Sequence, residues 1–94
     1  MEGKKSKVSK VKKEVVIKNK YGLHARPAAL FVQTANKFDA AITLHKDGQE
    51  VDAKSIMSLL SLGAESGSVL YLVAEGEDAE EAAQELIKIL EKDE

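Results

Sequence analysis

The apolar residues of this chain change period along its length, and the order of the changes leaves few folds open. Glu14-Val15-Val16-Ile17-Lys18 is β-branched and roughly alternating, which reads as a strand. Lys20-Tyr21-Gly22 is a turn. From Ala25 the pattern shifts: Ala28, Phe31, Val32 and Ala35 fall at i, i+3, i+4 and i+7, one face of a helix that ends near Lys37. Pro27 lies in its first turn, where a missing N–H does little harm. Ala41-Ile42-Thr43-Leu44-His45 alternates again, Asp47-Gly48 is a hairpin turn signal, and Glu50-Val51-Asp52 is the short return strand. Ser55 stands in an N-cap position ahead of Ile56-Met57-Ser58-Leu59-Leu60-Ser61-Leu62, and Gly63 stops that short helix. Residues 69–74 are apolar nearly throughout and read as a central strand. Asp78, with Glu81 three residues later, opens a last helix over about 79–92 in a capping-box-like start. Its apolar face is Ala82, Leu86, Ile89 and Leu90.

The order is β-α-β-β-α-β-α. An α+β fold, a four-stranded antiparallel sheet with three helices on one face, buries every one of these stripes. A length of 94 residues allows a single domain. Residues 1–13 carry six lysines against one glutamate, a side-chain charge of +5; the net −2 of the chain leaves −7 for residues 14–94. High like charge and low hydrophobicity predict a disordered basic arm over 1–13, followed by the domain over 14–94. A plain solubilising extension and an arm that grips an acidic partner or nucleic acid through its lysines are the two readings of that arm, and nucleic acid is the less expected partner.

Several classes of function are set aside by composition. The chain has no cysteine, so no disulfide framework or thiolate metal site is possible. No apolar run approaches the length of a membrane span, and the basic N-terminus lacks the apolar core of a secretory signal. A cytoplasmic protein without membrane insertion is expected. No histidine–carboxylate cluster has metal-ligand spacing and no glycine-rich nucleotide loop is present, so neither metal nor cofactor is expected. His45 reads as a surface strand residue.

His24 is different. It stands where the Gly22 turn feeds a helix, with Arg26 two residues on. The first N–H groups of a helix have no internal partners, and the helix dipole favours an anion there. A phosphoryl group on the His24 ring would lie within reach of the Ala25 and Arg26 N–H groups. Pro27 adds no donor, and the Arg26 guanidinium adds a charge-assisted contact. A neutral imidazole nitrogen is a competent phosphoryl acceptor. By spacing alone, a solvent-exposed or capping histidine beside an ordinary surface arginine is the competing reading.

Gly22-Leu23-His24-Ala25-Arg26-Pro27-Ala28, and then Ala53-Lys54-Ser55-Ile56-Met57 through Ser61-Leu62-Gly63, resemble the two motifs of the HPr family. These are the histidine-containing phosphocarriers of the bacterial phosphotransferase system. The resemblance spans about residues 14–92. It implies an open-faced β-sandwich, a non-enzymatic carrier whose His24 is phosphorylated at Nδ1 by phospho-Enzyme I and discharged to Enzyme II A domains, and a supporting Arg26. It also implies regulatory phosphorylation of Ser55, whose surroundings look like the Gram-positive form; HPr kinase/phosphorylase and a transcriptional regulator would then be further partners. Read from the residues alone, Ser55 is an N-cap hydroxyl. A two-turn helix on a sheet cannot bury all its apolar residues. Leu59 and Leu62 are therefore expected in the core, with Ile56, Met57 and Leu60 as an exposed docking patch. A monomer is expected. A carrier-like signalling module, whose phosphorylation regulates partners instead of feeding transport, is the rival reading.

Overall fold

A computed structural model describes residues 9–92. Four strands, β1 (Ser9–Val16), β2 (Ala41–Lys46), β3 (Gln49–Asp52) and β4 (Val69–Gly76), form one sheet in the order β1-β4-β2-β3, with every neighbouring pair antiparallel. Helices α1 (Ala25–Ala35), α2 (Ile56–Ser61) and α3 (Ala79–Leu90) cover one face and leave the other open. The open face explains the alternation in β4: Leu70, Leu72 and Ala74 are buried under the helices, whereas Val69 and Tyr71 are exposed. His45 lies on that open face opposite Tyr71, half-buried, with its Nε2 2.9 Å from the Thr43 hydroxyl.

The core joins Val15, Ile17, Leu44, Leu70 and Leu72 of the sheet side to Phe31, Leu59 and Leu86 of the three helices. On α1, Ala28, Phe31 and Ala35 are buried, and on α3 Ala82, Leu86 and Leu90 are, as the 3.6-residue period requires. The β2–β3 hairpin turns at Asp47 and Gly48, both at positive φ (51° and 84°), the mirror-image turn that Asp-Gly favours.

Two expectations are corrected. The strand expected over 14–18 is β1, Ser9–Val16, so residues 9–13 belong to the domain and not to an arm. The physical reason is the length of β4, whose eight residues pair with all eight of β1, from Ser9 opposite Gly76 to Val16 opposite Val69. Val11 and Val15 point inward and are buried, while the lysines sit on an edge strand, where charge guards against further pairing. The rest of the expected arm, residues 1–8, lies outside the described residues.

The second correction concerns Asp78. It is the N-cap of α3 by position, but its side chain makes no cap hydrogen bond. Its carboxylate instead accepts the N–H groups of Asp39 (2.8 Å) and Ala40 (2.9 Å), fastening the α1–β2 connection to the start of α3. No helix among the described residues is long and apolar enough to cross a membrane, and none of their His, Cys, Asp and Glu side chains group as a metal site.

Candidate functional site

The loop that carries His24 is pinned at both ends before α1 begins. After β1, the Ile17 N–H donates to the Ser68 carbonyl (2.9 Å), and the Ile17 carbonyl accepts from Gly67 (2.8 Å). Asn19 then builds a turn: its Oδ1 accepts the Tyr21 N–H at 2.8 Å and its carbonyl accepts the Gly22 N–H at 2.9 Å. Gly22 has φ 75°, and a Cβ there would lie 2.6 Å from the Ala64 carbonyl oxygen. That close approach lets the next residue, Leu23, donate its N–H to the same oxygen at 2.9 Å. The loop is thereby hung on the segment that leaves α2.

His24 is the N-cap residue of α1. Its backbone is extended (φ −107°, ψ −172°) and its carbonyl accepts the Ala28 N–H at 3.0 Å. Its side chain makes no cap hydrogen bond, so no side chain of the cap occupies the place where the Ala25 and Arg26 N–H groups point. The half-buried ring meets Tyr21 edge to face, with centroids 6.0 Å apart and planes at 88°. Lys20 Nζ sits 5.2 Å from the centre of the Tyr21 ring. Arg26 is exposed and its guanidinium has no hydrogen-bond or ion-pair partner among the described residues.

These groups line a cleft of about 540 Å³ between the loop, α1 and α3. Asn19, Tyr21, His24, Arg26, Leu30 and Lys92 frame it, and among the described residues no carboxylate lines it. A cationic rim around an imidazole at a helix N-terminus suits an anion bound to that ring.

Ser55 caps α2 from an extended backbone (φ −125°, ψ 121°), and its Oγ accepts the Ser58 N–H at 3.3 Å. It does not line the His24 cleft. Leu59 of α2 and its C-cap Leu62 are buried, whereas Ile56, Met57 and Leu60 are 40%, 79% and 37% exposed. The division between core and surface is thus the one expected from the sequence. Of the other lining residues, the sequence marks Tyr21 only as part of the Lys20-Tyr21-Gly22 turn, and it does not mark Asn19, Leu30 or Lys92 as site residues. An asparagine three residues before a glycine is a turn signal, and it marks a turn and not a cleft.

Fold and loop together define a class, a small open-faced sandwich whose first helix begins at a histidine. The family described as the PTS HPr component phosphorylation site matches residues 11–92, and the chain belongs to it. It is 54% identical over 83 residues to the HPr-like protein Crh of Halalkalibacterium halodurans, covering 88% of this chain and 99% of that one. Its fold is similar to the crystal structure of the phosphocarrier protein HPr from Bacillus anthracis, with TM-score 0.84, 49% identity and coverage of 88% and 99% of the two chains. It is also similar to a crystal structure of Bacillus subtilis Crh, described as a dimer with a swapped domain, with TM-score 0.70, 50% identity and coverage of 81% and 87%.

Proposed function

We propose that this protein is a cytoplasmic phosphoryl carrier that accepts a phosphoryl group on His24 from phospho-Enzyme I and passes it to Enzyme II A domains in sugar uptake. The observation that carries this reading is the imidazole at the N-cap of α1, whose side chain leaves the first helical N–H groups uncapped beside an Arg26 that is unpaired among the described residues. In the transfer, Nδ1 of His24 attacks phosphorus. The new N–P bond forms as the bond between phosphorus and the donor breaks. Developing charge on the phosphoryl oxygens faces the Ala25 and Arg26 N–H groups and the Arg26 guanidinium. The protein is itself modified and must be discharged by a partner, so it acts as a carrier and not as an enzyme.

Ile56, Met57 and Leu60 are proposed as the apolar docking patch for these partners, and Ser55 as a phosphosite at its edge, served by HPr kinase/phosphorylase. The carrier is proposed to work as a monomer. The swapped Crh dimer is the alternative arrangement, and sedimentation equilibrium separates the two.

Incubation with Enzyme I and phosphoenolpyruvate tests the central claim. The expected result is one phosphoryl mass increment, lost in acid, kept in base and absent in His24→Ala. An unmodified wild-type protein, or labelling of His24→Ala at the wild-type rate, would sink the assignment. A second reading is favoured by the 54% identity to the HPr-like protein Crh. It is a signalling module that holds its phosphoryl group and binds a regulator. A carrier exchanges the group with an Enzyme II A domain within milliseconds to seconds, and a signalling module does not.

A further inference from the structure

Asn19 is the one buried polar residue among the described residues, 8% exposed, and it lines the same cleft as His24 and Arg26. Its amide orientation follows from its contacts: the Tyr21 N–H donates to Oδ1, which leaves Nδ2 as the other atom of the group. Among the described residues Nδ2 has no acceptor. Buried amides without a partner are rare in folded proteins, and one beside a cationic cleft is a donor waiting for an oxygen. Its backbone is also held. Ile17 is bonded to Ser68 and Gly67 on one side, the Lys18 N–H reaches the Leu90 carbonyl at 3.5 Å, and Gly22 closes back onto the Asn19 carbonyl. Little ordering is left to be done when an acceptor arrives.

We propose that Asn19 Nδ2 donates a hydrogen bond to the phosphoryl group carried by His24, making Asn19 a phosphate-holding residue of this site. The proposal rests on His24 being the phosphoryl acceptor. It supplies a donor from the β1–α1 connection to the cleft that the α1 residues Ala25 and Arg26 also line. A neutral donor completes the shell of the anion without adding a charge, and hydrogen bonds to charged groups are the strong ones.

The test uses the full chain phosphorylated by Enzyme I and phosphoenolpyruvate. Amide spectra of the wild type are recorded before and after phosphorylation, and phosphate release is timed for wild type, Asn19→Asp and Asn19→Ala. Asn19→Asp keeps the oxygen that accepts the Tyr21 N–H and loses the donor. Asn19→Ala loses both without adding charge. The expected result is a downfield move of an Asn19 Nδ2 proton on phosphorylation, and release roughly tenfold or more faster from both variants, the effect of losing a hydrogen bond to a charged group. Side-chain amide resonances that stay in place, or release from Asn19→Asp at the wild-type rate, overturn the proposal while leaving the carrier reading intact. A wild type that gains no acid-labile phosphate on His24 overturns the carrier reading, and this proposal with it.

Discussion

Arg26 and His24 share one turn of helix but answer to different physics. The ring of His24 is placed by the backbone around it, since its own side chain makes no cap bond. Arg26 is exposed and unpaired among the described residues, so its removal takes little from the folded state. Arg26→Ala is therefore expected to slow phosphoryl transfer by roughly ten- to a hundredfold, the loss of charge-assisted contacts to the moving group, with the melting temperature within a few degrees of wild type. Arg26→Lys is expected to recover transfer only in part, because an ammonium lacks the planar fork. Rapid-quench transfer assays alongside thermal melts check both, and unchanged kinetics in the alanine variant would reduce Arg26 to a surface charge. Both residues were legible in the sequence because a helix start leaves local marks: a glycine turn, a cap position, a proline in the first turn. Asn19 was not legible as part of the site. Its place in the cleft depends on residues about seventy positions along the chain, as Ile89 of α3 and Lys92 just after it line the same hollow.

Helix α2 is short enough that its two faces have no room for compromise. Leu59 and Leu62 go to the core and Ile56, Met57 and Leu60 stay in solvent. Ser55 caps it with a hydroxyl, and aspartate is as good a cap as serine. Ser55→Asp is accordingly expected to fold with unchanged stability. The added negative charge stands beside an apolar patch, and desolvating it against a docking partner is unfavourable. The expected outcome is weaker association with Enzyme I, smaller than that of true phosphoserine because one charge replaces nearly two. Titration calorimetry of wild type, Ser55→Asp and Ser55→Ala with Enzyme I measures it, and three equal affinities would leave Ser55 as a cap alone. At the start of α3 the sequence pattern pointed to a local cap, yet the Asp78 carboxylate holds Asp39 and Ala40. The same acceptor oxygens serve either use, and only the arrival of the α1–β2 connection at this spot selects the distant one.

Across the whole molecule, the sheet order makes β4 the hub, with β1 on one side and β2 on the other. Removing residues 1–13, so that the chain starts at Glu14, would strip five residues from β1 and expose the far half of β4. Val11 alone, 6% exposed, accounts for about 1.5–3 kcal/mol of burial, a large share of a typical ~5–15 kcal/mol stability. A chain starting at Glu14 is expected to melt well below one starting at Ser9. Matching denaturation midpoints for the two would show that residues 9–13 add nothing to the fold. The element order, the core faces of α1 and α3, the Asp47-Gly48 turn and the division of α2 were all determined by the sequence alone. Each rests on residues within a few positions of one another, where backbone geometry and apolar period act directly. The lysine-rich start of β1, the second use of Asp78 and the place of Asn19 in the cleft were decided by tertiary structure. In each case a remote part of the chain supplied the hydrogen bonds or the facing wall, and nothing in the local run of residues names such a partner.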